Sequence, residues 1–272
     1  MTQQELALDV PDGYFGAIYP QPVPSGLAGS LMHLLAHKGP PWLPDIEARL
    51  ASAGPDLFAA AFSAGEPVAH AWLGSAQECP ESGLIGHVYT MEEHRRRGLA
   101  GRLVTGLLEQ FDLRGGRWAQ LHTRNQAAAG LYARLGFRVI RVTGGHGSAV
   151  KRRVMLRGGE GQGVGEAYHQ ASGKWAVEPF ERRHYPRLCV FLNAIPGEDK
   201  LPALDIDSGA HCEPRLLAAR QGQERGERRC SVLVDAANGR AHGLACRKAD
   251  SLGVYAPRVG EAVRDMLTDR TR

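Results

Sequence analysis

Arg95-Arg96-Arg97-Gly98-Leu99-Ala100 is the stretch that decides the fold, because it joins a strand to a helix through a basic turn of small residues. The preceding segment, Leu84 to Thr90, is short and rich in β-branched and aromatic residues, which predicts a strand. Downstream, Leu99 to Phe111 repeats apolar residues at helical spacing. The sequence therefore predicts a strand, a glycine-containing turn and an amphipathic helix, in that order.

The beginning of this helix is suited to an anion. Backbone N–H groups in the first turn of a helix have no internal partner, and the helix dipole makes that end positive. Gly98 and Ala100 would let an anion approach these groups closely, and the three arginines add full charges. The alternative is an ordinary solvated surface, since the dipole disfavours cations at this end. The hexapeptide by itself leaves both interpretations open.

A second motif lies downstream, at Asn125 to Phe137, after a predicted strand at Trp118 to His122. Asn125 is a typical helix N-cap, and Gly136 is typical of a helix C-terminus, so the segment between them predicts a helix. Phe137 to Ile140 then predicts another strand. The two motifs together predict strand, helix, strand, helix, strand.

The two motifs resemble those of the GNAT superfamily of acyl-CoA N-acyltransferases. The cofactor motif of that family, R/Q-x-x-G-x-G/A, is matched by Arg95, Gly98 and Ala100. The later motif, N-x-x-A-x-x-L-Y-x-x-x-G-F, is matched by Asn125, Ala128, Leu131, Tyr132, Gly136 and Phe137. Either motif alone is weak, whereas both in this order with a strand between them are specific. The resemblance covers roughly residues 14 to 156.

The surrounding elements fit the same resemblance. Two short helices are predicted at Ser30 to His37 and Pro44 to Ala51, followed by a β-hairpin at Asp56 to Leu73. A second hairpin is predicted at Phe137 to Leu156, with a glycine-rich tip at Gly144 to Ser148. We therefore expect an α/β (α+β) fold of the GNAT type, in which helices flank a mixed, mostly antiparallel sheet.

Length and composition indicate an ordinary two-domain globular protein. The chain has 272 residues, 43% of them hydrophobic and 23% charged. The net charge is only +4, and no Lys/Arg run is longer than the three residues of Arg95 to Arg97, so a nucleic-acid partner is not indicated. There is no apolar run that could span a membrane, and the polar, acidic segment Met1 to Asp9 is unlike a secretory signal. We expect a cytoplasmic protein with no membrane partner.

The cysteines are odd in number and widely spaced, and none forms a C-x-x-C motif. They are Cys79, Cys189, Cys212, Cys230 and Cys246. This pattern argues against a disulfide framework and against a structural zinc site, and it favours a reducing compartment. We expect no bound metal.

The C-terminal part follows a flexible linker, Gly158 to Gly165. Beyond it, a predicted helix at Tyr185 to Leu192 and a hairpin with an Asn-Gly turn at Cys230 to Arg247 echo the first half. We predict a catalytic domain at 1–157 and, at 166–272, a smaller, truncated GNAT-like domain that is non-catalytic because it has no second cofactor motif. An unrelated α+β appendage is the alternative.

The resemblance implies acetyl-CoA as the donor and a primary amine as the acceptor. In the family, the pantetheine arm lies between two strands, which correspond here to Leu84 to Thr90 and Trp118 to Thr123. The backbone at the end of the first strand would pair with the arm, and the basic turn would hold the pyrophosphate. The implied cofactor-binding residues are Val88, Tyr89, Thr90, Arg95, Arg96, Arg97, Gly98, Leu99, Ala100, Gly101, Asn125 and Tyr132.

The resemblance also implies a general acid that protonates the leaving thiol. Tyr132 matches the tyrosine that donates a proton to the leaving thiol in many family members, although a packing role beside the cofactor is the alternative. No carboxylate occurs on either predicted strand, and His87 and His122 stand there instead. Imidazoles with a pKa near neutrality suit the removal of a proton from an amine. Each histidine is therefore a candidate base, with a packed structural role as its alternative.

We thus expect direct attack by a small-molecule amine on acetyl-CoA in a ternary complex. Two other functions stay open at this point: a protein or peptide N-acetyltransferase, and a module that binds a CoA ester without transferring the acyl group. Assembly as a homodimer is also left open.

Overall fold

The computed structural model describes residues 5–40, 42–143, 152–158, 164–194 and 212–272. It divides into two compact units, Met1–Ala119 and Gln120–Arg272. The boundary between the two units follows Ala119, whereas the sequence predicts that the first domain ends at residue 157. Most of the predicted linker falls outside the described residues, as does the glycine-rich tip.

The first unit is built on an antiparallel sheet. Its elements are β1 (Leu6–Leu8), β2 (Phe15–Pro20), α1 (Ser25–Leu34), α2 (Trp42–Ala51), β3 (Leu57–Ser63), β4 (Glu66–Gly74), β5 (Ser82–Thr90), α3 (Leu99–Leu113) and the first residues of β6 (Trp118–Thr123). Strands β1 to β5 pair in chain order, each antiparallel to the next. The N–H groups of Arg117 and Trp118 both donate to the carbonyl of Glu81, at 2.9 and 2.8 Å, so β6 starts beside the start of β5.

Helix α3 carries the apolar stripe that its sequence predicts, and this stripe packs on β3, β4 and β5. Its buried side chains include Leu99, Leu103, Leu107 and Phe111. A Cβ at Gly106 would overlap the end of the Leu8 side chain, so the absence of a side chain there lets β1 approach the helix. The buried face fixes the helix on the sheet and leaves its N-terminus at the surface.

A buried charge network links α2 to the sheet of the first unit. The carboxylate of Asp56 accepts hydrogen bonds from Trp72 Nε1 at 3.0 Å, Ser75 N at 3.1 Å and Arg49 at 3.3 Å. Arg49 Nε also donates to Asp45 at 2.7 Å, and its guanidinium lies 4.3 Å from the centre of the Trp72 ring. Each buried charge is therefore paired, as burial in a low dielectric requires.

The second unit contains a hairpin and a separate four-stranded sheet. After the end of β6 come α4 (Gln126–Arg134), β7 (Arg138–Thr143), β8 (Arg152–Arg157), α5 (Val164–His169), β9 (Trp175–Pro179), α6 (Tyr185–Ala194), α7 (Cys212–Glu224), β10 (Arg229–Asp235), β11 (Ala241–Lys248), β12 (Ser251–Tyr255) and α8 (Glu261–Thr271). Strands β7 and β8 are antiparallel. The sheet order is β12-β11-β10-β9, antiparallel throughout.

Both faces of the four-stranded sheet are covered, because Val232 and Leu233 are both fully buried and successive strand side chains point to opposite faces. Leu233 belongs to a core that α8 closes with Leu267. The predicted mixed α/β fold with a mostly antiparallel sheet flanked by helices is confirmed, and the second, smaller α+β part contains the predicted helix α6 and hairpin β10–β11. Nothing in its structure confirms that this part is a second GNAT copy. Among the described residues, no helix has the length and apolarity needed to cross a bilayer.

One disulfide corrects the prediction from cysteine spacing. Cys230 and Cys246 lie directly opposite each other on β10 and β11, with Cα atoms 4.2 Å apart, and are joined by a disulfide bond. The spacing of cysteines along the chain could not reveal this pairing, because it depends on the register of two strands. Cys79 and Cys189 are buried. The cysteine count therefore no longer indicates a reducing compartment.

A second ionic network lies in the second unit, around Glu178 on β9. Its carboxylate accepts hydrogen bonds from His184 at 2.8 Å and from Arg187 at 3.0 Å. Arg187 is fully buried and also donates to the carbonyl of Gly239 at 2.7 Å. The hydrogen bond from His184, together with the nearby arginines, lowers the pKa of Glu178 to about 2. Glu178 is thus the counter-ion of a buried guanidinium.

We predict that Glu178→Gln destabilises the second unit by roughly 3–5 kcal/mol, because it leaves the buried charge of Arg187 without a counter-ion. Hydrogen exchange of the β9 and β10 amides at pH 7 measures the change. The matched control is Glu227→Gln, which removes an exposed pair with Arg225 and should leave the stability close to that of the wild type.

The same variant has a predicted pH dependence. A carboxylate whose pKa is lowered on folding stabilises the fold above its unfolded pKa, and this contribution disappears as the pH falls through the folded value. The difference in the free energy of unfolding between wild type and Glu178→Gln should therefore decrease as the pH falls from 4.5 to 2. A difference that is constant over this range would contradict the assigned charge pair.

Candidate active site

The turn between β5 and α3 has an unusual backbone. Arg96 has φ +62° and Gly98 has φ +82°, so two residues within three positions adopt left-handed conformations. Left-handed φ is uncommon for a residue with a side chain and is readily adopted by glycine. Gly98 is the N-cap of α3, no side chain caps the helix, and no acidic residue lies in its first turn. Helix geometry therefore leaves the first-turn N–H groups, from Leu99 to Gly101, without an internal partner or a side-chain cap.

The three arginines of the turn are exposed. Arg95 Nε donates to the carbonyl of Thr90 at 3.0 Å, and Arg97 donates to the carbonyl of Glu93 at 3.3 Å. Within the described part of the chain, no carboxylate lies in ion-pair distance of Arg95, Arg96 or Arg97. Three positive charges thus stand at the positive end of a helix dipole, which favours a bound anion.

The burial of strand β5 decreases halfway along its length. Ser82 to Ile85 are buried, whereas Gly86 to Thr90 are only half-buried. On β4, His70 pairs with Tyr89 and Trp72 pairs with Gly86, so β5 contains one extra residue in this interval. Such a β-bulge bends the strand and interrupts its ladder. The bulge places the backbone around Val88, which the resemblance assigns to the cofactor arm, in an irregular and partly accessible segment.

His87 is the strained residue of the bulge. It has φ +51°, and its carbonyl lies 3.2 Å from Nδ1 of His70. Its ring lies between those of Trp42 and Trp72, with centroids 5.7 and 5.3 Å away. Among the described residues, no group forms a hydrogen bond with its buried Nε2. Burial, with the charge of Lys38 as the next cause, lowers the pKa of His87 well below 6.5, so the imidazole is neutral at pH 7.

Sequence reasoning missed the role of His70. It lies on β4, is almost fully buried, and burial lowers its pKa to about 4. A neutral imidazole at pH 7 has one N–H donor, and the contact with the His87 carbonyl places that donor against the bulge. A histidine on a neighbouring strand carries no local signal for such a contact, because it depends on sheet register.

A pocket of about 690 Å³ lies against the end of β5 and was also missed. Residues of α1 form one side of it. Its lining also includes His37, Glu66, Pro67, Tyr89 and Met91. The rings of His37 and Tyr89 stack with their centroids 4.1 Å apart. Because Tyr89 and Met91 flank Thr90, whose carbonyl binds Arg95, the pocket borders the segment that leads into the basic turn.

In the second unit, α4 begins and ends as its sequence predicts. Asn125 Oδ1 accepts hydrogen bonds from the N–H groups of Ala127 and Ala128 at 2.9 and 3.2 Å. Gly136 follows the helix with φ +86°. The N-terminal Asn and the C-terminal Gly of the second motif therefore have direct structural functions.

Two candidate catalytic residues also lie in the second unit. Tyr132 is 6% exposed, its ring contacts Phe137 edge-on, and burial raises its pKa to about 12. His122 lies near the end of β6, and burial, with a smaller effect from the charge of Arg152, lowers its pKa to about 3. At pH 7 the tyrosine is protonated and the histidine is neutral. No cluster of three or more potential metal ligands occurs within the described ranges.

Comparison with solved structures finds similar folds at low identity. ElaA from Escherichia coli is 18% identical, and the match covers 53% of this chain and 97% of that chain with a TM-score of 0.44. The ribosomal-protein-S18-alanine N-acetyltransferase from Escherichia coli is 18% identical over 54% and 96%, with a TM-score of 0.43. An acyl-CoA N-acyltransferase from Pseudomonas aeruginosa is 19% identical over 52% and 97%, also with a TM-score of 0.43.

A search of curated proteins found no match. A family model does match: residues 30–137 fit that of the acetyltransferase (GNAT) family. This range contains both sequence motifs, the basic turn and the bulged strand. The chain therefore carries, at residues 30–137, a domain of the acetyltransferase (GNAT) family of acyltransferases.

Proposed function

We propose that the protein transfers an acetyl group from acetyl-CoA to a primary amine of a small-molecule acceptor, by direct attack in a ternary complex. The observation that carries this proposal is the open N-terminus of α3, where a left-handed Gly98 and three arginines surround uncapped N–H groups. The family of residues 30–137 supports a CoA thioester as the donor.

The proposed cofactor contacts follow from this geometry. The pyrophosphate of CoA accepts hydrogen bonds from the amides of Leu99 to Gly101, and the guanidinium groups of Arg95 to Arg97 neutralise its charge. The backbone of Val88 to Thr90, half-buried in the bulged part of β5, hydrogen-bonds the amides of the pantetheine arm. We assign Asn125 and Tyr132 to the same arm because they occupy the matching positions of the second motif.

The proposed reaction forms one bond and breaks another. The lone pair of a neutral amine attacks the thioester carbonyl, a C–N bond forms, and the C–S bond breaks as the sulfur leaves. One proton moves from the nitrogen to the solvent or to a base, and one proton reaches the sulfur. Tyr132 supplies the second proton or donates a hydrogen bond to the sulfur, and its raised pKa keeps its hydroxyl protonated at neutral pH.

The proposed bases are His87 and His122. A proton moved from a free ammonium with a pKa near 10 to an imidazole with a pKa of about 3 would cost about 10 kcal/mol. We therefore propose that the ammonium group loses its proton to the solvent before attack. The histidine then accepts the second proton after attack, when the nitrogen is positively charged and far more acidic. The buried Nε2 of His87, which has no hydrogen-bond partner among the described residues, supports this role.

The cofactor proposal predicts that Gly98→Ala weakens CoA binding about tenfold. A left-handed φ costs a residue with a Cβ about 1–2 kcal/mol, so the turn relaxes and the first-turn amides no longer converge on the pyrophosphate. Calorimetric titration with CoA measures the change. Gly26→Ala is the matched control, because Gly26 lies in α1, a Cβ there meets open space, and CoA affinity should not change. Equal CoA affinity in both variants would contradict the assignment of the turn.

The acid proposal predicts that Tyr132→Phe lowers kcat at least 100-fold, far more than it weakens CoA binding, because the aromatic ring beside the arm is retained. Release of free CoA in the presence of an amine measures the rate. Tyr19→Phe is the matched control, since burial also raises the pKa of Tyr19 to about 12 but the residue lies outside both motifs. If Tyr132→Phe retains wild-type kcat, Tyr132 is a packing residue.

The base proposal predicts a specific change in the pH profile of kcat. A base acts deprotonated, so kcat falls as the pH drops through its pKa, and the lowered pKa values place this fall below pH 6.5. Profiles of His87→Ala and His122→Ala from about pH 2.5 to pH 9 test which residue is responsible, because the variant that lacks the base loses the decrease in kcat at low pH. Neither histidine is the base if both variants keep the wild-type decrease.

A further inference from the structure

The pocket beside the end of β5 has the position expected of a second substrate site. Its wall includes Tyr89 and Met91, and the residue between them, Thr90, binds Arg95 through its carbonyl. A molecule in this pocket would lie against the same strand end that is proposed to hold the acyl-CoA arm. The following inference rests on that proposed function.

The lining of the pocket is mainly apolar, although it also includes Ser30 and His33. Leu34 from α1, Pro67 from the start of β4 and the Met91 side chain line it together with the stacked rings of His37 and Tyr89. Burial and the charge of Lys38 lower the pKa of His37, so its imidazole is neutral at pH 7. These surfaces favour an apolar or aromatic body over a strongly hydrated one.

The pocket offers a single negative charge. Among its lining residues, Glu66 is the only carboxylate, and it is exposed. One carboxylate balances one ammonium group. A polycationic amine would bring further positive charges towards Lys38, whose charge acts on the lining residue His37. Like charges oppose binding.

We propose that this pocket binds the acceptor, and that the acceptor is a small amine with one positive charge and an apolar, aromatic body. Glu66 attracts the ammonium form at the mouth of the pocket, and the apolar wall with His37 and Tyr89 holds the body. The volume of about 690 Å³ is in the range of small-molecule sites, with room for a body larger than one ring.

The test compares acceptors of different charge with the full-length protein and acetyl-CoA. The probes are phenethylamine, spermidine, kanamycin and a short peptide with a free alanine N-terminus. We expect kcat/KM for phenethylamine to exceed that for each other probe at least tenfold. A preference for spermidine, kanamycin or the peptide would overturn the assignment of the pocket.

Variants of the pocket test its role directly. We expect His37→Ala to raise the KM for phenethylamine about tenfold and Glu66→Gln about fivefold, with the Kd of CoA unchanged in both. Glu47→Gln is the matched control, since Glu47 is an exposed carboxylate on α2 that does not line the pocket, and its KM should equal that of wild type. Wild-type KM values in both pocket variants would contradict the proposal.

The two levels of the proposal fail in different ways. If CoA binds but no probe accelerates the release of free CoA from acetyl-CoA, the transferase function itself is wrong, and so is the acceptor site. If amines accelerate the release but the polycationic probes are preferred, the transferase function stands and only the acceptor class is wrong.

Discussion

A helix that begins without a cap is the constraint on which the candidate site depends. The first turn of α3 has unsatisfied N–H groups, and the three preceding arginines add positive charge at the end of the helix where the dipole is already positive. Neither feature stabilises the isolated protein. The fold tolerates both features because burial of apolar side chains holds the helix on the sheet. These side chains include Leu99, Leu103, Leu107 and Phe111.

Strand β5, which leads into this helix, also combines a well-packed part with a part that is not optimised for stability. The first half of β5 is buried and regularly paired, and the second half is bulged and half-buried. The left-handed His87 would be costly in an unsupported loop. Here two tryptophan rings and the contact with His70 surround it, so the irregular backbone has a rigid environment.

Sequence reasoning succeeded where the signals were local. The N-cap Asn125, the terminating Gly136 and the apolar stripe of α3 each act within a few residues, and each appears in the structure where it was predicted. The bulge at His87 and the disulfide between Cys230 and Cys246 depend on strand register, which spacing along the chain does not reveal. For the same reason, no motif indicated that α1, β4 and β5 together form a pocket.

Several elements were missed for simpler reasons. Strand β1 has three residues and β9 has five, too few for a period-two pattern to stand out. Helix α7 is rich in Arg and Gln, and its buried positions, such as Leu216 and Leu217, form only a short stripe. Tertiary contacts stabilise such segments, so their local sequence carries little information.

The hydrogen bond from Arg95 to the Thr90 carbonyl has a consequence for how two ligands would influence each other. It ties an arginine of the basic turn to the strand end whose neighbours, Tyr89 and Met91, form the pocket wall. A shift of the strand end at the pocket wall would therefore also displace the guanidinium of Arg95 in the basic turn. Thermodynamic linkage makes such an effect reciprocal, so that an anion at the turn and a molecule in the pocket would alter each other's affinity by the same factor.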